Sequence, residues 1–174
     1  MSLIDVARRR FEGVLALVIL CGAELAHAAD GPAGQWVLVT PPDFRPALAP
    51  LIEHRQAEGF KVVVLETTEV LSQGQMHQRD GTALQARLKE LVQHYRGRSC
   101  LLLAGIGGTA GLTNAENAVV PALRGAIGRM KGEASDSGYG LPGKDGMPTV
   151  PVGRFPARTV GELCAMVQKT LGVS

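Results

Sequence analysis

The stretch GQWVLVTPPDFRPALAPLIEHRQAEGFKVVVL, residues 34–65, decides the fold. Its first run, Trp36-Val37-Leu38-Val39-Thr40, is short, rich in β-branched and aromatic residues, and bounded by Gly34 and Pro41. Apolar residues succeed one another there without alternation, so the run reads as a strand buried on both faces. Leu48, Leu51, Ile52 and Arg55 then fall at i, i+3, i+4 and i+7 and predict a helix from about Pro46 to Glu58 that Gly59 terminates. Pro50 fits that helix only in its first turn or at a kink. Phe60-Lys61-Val62-Val63-Val64-Leu65 is a second buried strand, which completes a strand–helix–strand unit.

The alternation continues to the end of the chain. A polar connection, Glu66 to Gly81, carries one short helical turn at Thr68 to Leu71. Thr82 and Gln85 have the T-x-x-Q spacing of a capping box, ahead of an apolar stripe of Leu84, Leu88, Leu91, Val92 and Tyr95 that Gly97 ends. Cys100 to Ala104 is a third strand. Thr149 to Gly153 is a short fourth one, placed at an edge or strand end by Pro151. Thr159 and Glu162 cap a last helix with Leu163, Val167 and Leu171 on one face. Such a pattern predicts an α/β fold of three layers, αβα, around a mainly parallel four-stranded sheet in the flavodoxin-like order 2-1-3-4. Ligand chemistry in such sheets gathers where loops leave the carboxyl ends of the strands, here at Thr40, Glu66, Gly105 and Arg154. The third of these loops, Gly105 to Pro148, holds no long element, the mark of a functional or covering segment.

Composition narrows the classes. The chain has 174 residues and a net charge of +2, enough for one domain with a sizeable core and too balanced for a nucleic-acid-binding arm. Four Phe, two Tyr and one Trp are too few for a platform that stacks single-stranded nucleic acid. At the amino terminus, Arg8, Arg9 and Arg10 precede the apolar run Val14 to Leu20, which leads to Ala26-His27-Ala28. A positive flank, a short apolar centre and an A-x-A site describe a secretory signal peptide. The run is well short of the roughly 20 residues a membrane span needs. Residues 1–28 are therefore expected to be removed before Ala29, leaving a mature domain of residues 29–174 in the periplasm, on the cell surface or outside the cell. Arg8-Arg9-x-Phe11 also resembles a twin-arginine export signal, with Glu12 at a position where that signal prefers an apolar residue. Export leaves two readings of Cys100 and Cys164: a disulfide in an oxidising compartment, or two small buried apolar side chains.

Local motifs give no complete active site. Gly105-Ile106-Gly107-Gly108-Thr109-Ala110 fits the G-x-G-x-x-A dinucleotide fingerprint, which would bring backbone N–H groups to a pyrophosphate. It comes after the third strand rather than the first, Pro121 interrupts the helix that the fingerprint requires, and the nearest suitable acid, Glu133, lies 28 residues on from Gly105. His54 and His94 lie on predicted helices without an i+4 partner for a metal, and His77 sits in a polar connection. No cofactor is called for.

One series of motifs carries more. Ser135-Asp136-x-x-Tyr139, Gly143-Lys144-Asp145-Gly146-Met147-Pro148 and Val152-Gly153-Arg154-Phe155-Pro156-Ala157-Arg158-Thr159 resemble the S-D-x-x-Y, Gly/Asp-rich turn and V-G-R-x-P-A-R-T of gingipain-like cysteine peptidases. Upstream, Pro42-Asp43-Phe44, Gly59-Phe60 and Leu101-Leu102-Leu103-Ala104-Gly105 keep the same family's order. The chain departs from the family at Ile106 and Thr149, where an Asp is usual. The resemblance covers about Trp36 to Thr170 and implies a caspase-like first subdomain. The family's catalytic His, in a Gly-His-Gly motif, and its later nucleophilic Cys belong to a second subdomain, and no position here matches either. No catalytic residue is therefore assigned. Asp136 and Asp145 are expected to order turns through their carboxylates, and Arg154, leaving the fourth strand, to pair with one of them; Ser135, Tyr139 and Gly153 complete the motif set.

The expectation is an exported, gingipain-like cysteine endopeptidase represented by its non-catalytic half, inactive alone and cleaving peptide or protein substrates when joined by a carboxyl-terminal catalytic subdomain. Alternatives are a secreted α/β binding module without catalysis, or a nucleotide site at Gly105, Gly107 and Gly108.

Overall fold

The computed structural model of the protein describes residues 33–107, 119–125, 131–141, 143 and 147–173. All of them belong to one compact unit, Pro32–Ser174. The expected signal peptide, residues 1–28, lies outside the described residues, as do Gly108 and Asp145.

Strand β1 (Gly34–Thr40) is buried along its whole length, and its parallel neighbours explain why. On one side Trp36 pairs with Val62 and Val39 with Leu65 of β2 (Phe60–Glu66); on the other Val37 pairs with Leu101 and Val39 with Leu103 of β3 (Ser99–Ala104). With every hydrogen-bonding edge and both faces covered, only uninterrupted apolar residues avoid a desolvation penalty. Two further strands, β4 (Leu123–Arg124) and β5 (Ala134–Ser135), pair antiparallel as a small separate ladder within the third loop. Strand β6 (Val152–Phe155) pairs parallel with β3, Leu103 opposite Arg154, so the main sheet runs β2-β1-β3-β6. In chain order of its own strands that is the expected 2-1-3-4.

Helices cover both faces. A 3₁₀ turn (Pro42–Leu48) runs into α1 (Ala49–Ala57), and the chain later closes with α5 (Val160–Leu171). Phe44, Leu48 and Leu51 from the first pair, with Leu163 and Val167 from α5, pack on Trp36, Leu38, Leu102 and Ala104. Pro50 falls in the first turn of α1, where its missing N–H costs no hydrogen bond. Two short helices, α2 (Thr67–Val70) and α3 (Gln73–Gln78), precede α4 (Thr82–Gln93). Leu84 and Leu88 of α4, with Leu71, Val120 and Tyr139, cover the opposite face of Val37, Val39, Leu101 and Leu103. The result is the three-layer α/β architecture expected.

Three local expectations are corrected. The start of α4 carries no Thr82–Gln85 capping box: Gly81 is its N-cap, the N–H and hydroxyl of Thr82 both donate to Asp80, and the Gln85 amide donates instead to Gly138 O at 2.8 Å. An acidic partner two residues upstream holds Thr82 better than a side-chain amide does. The fourth strand begins at Val152 rather than Thr149. Pro151 has no N–H for the ladder, and only its carbonyl takes part, accepting from Leu101 N at 2.9 Å. Last, the polar connection holds two short helices rather than one, α3 being opened by a capping box between Ser72 and Gln75.

Candidate functional site

Two of the family motifs, Ser135–Tyr139 and Val152–Thr159, meet at the carboxyl end of the sheet. Arg154 sits within β6 rather than beyond it, and its guanidinium meets the loop that leaves β3. There the backbone turns at Gly105, whose φ of 145° favours glycine, and returns so that Val120 N donates to Ile106 O at 3.0 Å. Loop, return segment and the Ser135–Tyr139 stretch thereby surround one side chain.

Arg154 is held from three directions. Its Nε and Nη2 donate to the two carboxylate oxygens of Asp136, each at 2.7 Å, and Nη1 donates to Gly105 O at 2.7 Å and to Val120 O at 3.0 Å. Such a fork is charge-assisted and geometrically matched to a carboxylate, which Lys cannot reproduce. The Arg154 and Asp136 side chains are 13% and 28% exposed, so water screens the pair less than it would a surface ion pair. Of the two acids expected to pair with Arg154, the one in place is Asp136.

The turn around Asp136 is ordered differently from the expectation. Its carboxylate is spent on Arg154; the backbone is fastened by Ser135, whose Oγ accepts from Ser137 N at 3.3 Å, and by Tyr139 N donating to Asp136 O at 3.0 Å. Tyr139, fully buried, donates its hydroxyl to Pro121 O at 2.6 Å. Burial pushes this phenol far above its ordinary range, with Arg154 opposing and Asp136 and Asp80 adding to the shift. Its hydroxyl also explains Gly81, where a Cβ would collide with Tyr139 Oη.

The remaining chemical expectations are decided by the same geometry. Gly105 N donates to Phe155 O and its carbonyl accepts from Arg154, so the first glycine of the fingerprint sequence has no N–H to offer a phosphate. Gly107 lies against Arg154, whose Cζ would be 3.2 Å from a Cβ placed there. The dinucleotide reading gains no support from Gly105 and Gly107, and Gly108 lies outside the described residues. Cys100 and Cys164 are free, half-buried thiols, and neither has an imidazole partner among the described residues. His94 bonds Glu90 O through Nδ1; His54, expected to lack an i+4 partner, in fact lies 3.4 Å from Glu58 at i+4, an exposed pair on the helix surface with no third ligand among the described residues. Among the described residues no group of three or more His, Cys, Asp or Glu is placed to hold a metal. Chemically, the arrangement positions loops: four of the five guanidinium hydrogens are engaged, and the Asp136 carboxylate beside them is itself taken up by Arg154.

Sequence reasoning missed the carbonyls of Gly105, Val120 and Pro121, which carry no side-chain signal. A cleft of about 430 Å³ opens beside this brace, lined by Asp136, Ser137 and residues 148–152.

The family model of peptidase family C25 matches residues 30–174. A solved structure, "Structure of Protease", shares the fold with a TM-score of 0.56 at 18% sequence identity, over 79% of this chain and 27% of that chain. The chain thus spans about a quarter of that protein's length. No curated protein matches the sequence. On the extent of the family match, and with motif residues Asp136, Tyr139 and Arg154 gathered at one end of a four-stranded parallel sheet, the chain belongs to peptidase family C25, the gingipain family of cysteine peptidases.

Proposed function

We propose that this chain is the amino-terminal, non-catalytic half of an exported C25 cysteine endopeptidase, and that peptide-bond cleavage requires an imidazole and a thiolate supplied by a second subdomain. The observation that carries the reading is the family match over residues 30–174, on a sheet whose carboxyl end is braced by Arg154 rather than armed. A cysteine peptidase needs a thiolate activated by a nearby base and donors aimed at the developing oxyanion. The role of this half is then to hold the loops beside the cleft at fixed positions, so that a peptide substrate and the partner's reactive groups meet in register. Removal of residues 1–28 on export fits the amino-terminal pattern and leaves the matched region intact.

The test is an assay of the purified chain against fluorogenic peptides, alone and co-produced with a downstream segment encoding a Gly-His-Gly motif and a late Cys. Expected is no turnover alone and iodoacetamide-sensitive turnover in the joined form. Alkylation-sensitive hydrolysis by this chain alone would overturn the reading. Export is checked by sequencing the amino terminus of secreted material, with Ala29 expected first and Met1 counting against it.

A further inference from the structure

The two outer strands of the main sheet are not alike. Strand β6 has four residues, one of them Gly153, and follows Pro151, features that weaken further pairing. Strand β2 has seven, with three successive β-branched residues at its centre. Val62, Val63 and Val64 are only half-buried, whereas Val37 and Leu38, across the ladder from Val63 and Val64, are fully buried. The ladder also fixes which backbone groups of β2 face outward. Gln35 N donates to Arg98 O, so Gln35, Val37 and Val39 bond to β3 and the alternate residues of β1 bond to β2. By the parallel register those bonds engage Lys61, Val63 and Leu65. The N–H and C=O groups of Val62 and Val64 therefore point away from the sheet, with no partner among the described residues. A groove of about 310 Å³ opens beside this edge, between β2 and α4, with Val63, Leu91 and Tyr95 as its apolar part and Lys61, Arg87 and Glu90 as its charged part. Arg87 and Glu90 are paired at 3.0 Å. A groove that carries both signs offers little to a ligand of one charge and suits a surface that meets its own copy.

We propose that β2 is a docking edge for a second copy of this chain, which adds its own β2 antiparallel about a two-fold axis at Val63. In that register Val63 meets its own equivalent, and Val62 and Val64 of the two copies exchange the N–H···O=C bonds that each chain alone leaves unmade. Each Lys61 falls opposite the second copy's Leu65, on the order of 13 Å from the other lysine and beyond the screening length at physiological salt. Strands running in the same direction would instead set Lys61 against Lys61. The contact is isologous, so it uses up both edges and closes at two copies. The proposal stands independently of the peptidase reading, since it concerns the sheet edge remote from β6 and requires no catalysis.

The experiment is analytical ultracentrifugation of the full chain, of Val64→Pro, and of Val63→Lys and Val63→Glu, separately and mixed in equal amounts. Expected for the natural chain is a monomer–dimer equilibrium with a Kd on the order of micromolar. Val64→Pro removes an N–H that only the pairing uses, and should weaken the dimer at least about tenfold with the melting temperature unchanged. Val63→Lys and Val63→Glu each place like charges face to face on the axis and should weaken it as much alone, while their mixture dimerises again. A natural chain that stays monomeric, a dimer indifferent to these substitutions (as association through β6 would be), or a mixture that fails to recover would each overturn the proposal. Hydrogen exchange of the natural chain decides the matter even if the variants do not fold: the Val62 and Val64 amides should slow as concentration rises, and rates independent of concentration would overturn it.

Discussion

Arg154 joins β6, Gly105, Val120 and Asp136 through four hydrogen bonds, so its removal strands several polar groups at once. Arg154→Ala is expected to cost about 2–4 kcal/mol in chemical denaturation, and Arg154→Lys only somewhat less, because an ammonium cannot grip both carboxylate oxygens. A double-mutant cycle with Asp136→Asn should show a coupling that a pair of independent surface charges lacks. Tyr139→Phe leaves Pro121 O unpaired in the interior, a loss of about 1–3 kcal/mol. Its pH dependence has a definite sign. The phenol's affinity for its proton is raised by folding, so its contribution is complete below the unfolded value, about 10, and declines as pH rises beyond it. Urea midpoints of the natural chain and of Tyr139→Phe should therefore converge above that pH; parallel curves would place the hydroxyl in solvent.

Among the elements, the two long capped helices separate what the amino-acid pattern reveals from what it hides. At α5 the T-x-x-E spacing accounts for half of the cap's bonds. Thr159 Oγ1 accepts from Glu162 N at 3.1 Å, whereas the Glu162 carboxylate takes Arg158 N rather than the cap residue's own. At α4 the same spacing misleads, because Asp80, outside the motif, claims Thr82. Thr159→Ala is accordingly expected to cost about 1 kcal/mol, while at α4 the sensitive residue is Asp80. The Thr82 hydroxyl and N–H hold the Asp80 carboxyl below its ordinary value. Its contribution is present above the unfolded value, about 4, and fades as pH falls through the folded one; acid titration of Asp80→Asn should lack that step. The legible parts come from burial: β1 and β3, flanked on every side, need unbroken apolar runs, and Leu84 and Leu88 need helical spacing. The start of β6 is harder to place because Val150 is buried without being in the ladder, and hydropathy alone does not tell the two apart. The motif points to Arg154 and Asp136, but the carbonyls that complete the brace belong to backbone and leave no trace in residue identity.

For the molecule as a whole, β2 and β6 are the outer strands of the main sheet, each paired on one side only among the described residues. Unpaired strand edges favour association with other chains. If a second subdomain normally covers β6, the isolated chain should show concentration-dependent sedimentation and bind a hydrophobic dye; a dye-silent monomer at every concentration would count against such a subdomain. The brace has one more outcome for this end of the sheet. A guanidinium with four engaged hydrogens and little exposure is shielded from dicarbonyl reagents, which should label Arg96 and Arg98 rapidly and Arg154 only when the loops around it let go. The arginine is thus a built-in chemical clock, whose rate of labelling reports how often the loops at the carboxyl end spontaneously come apart.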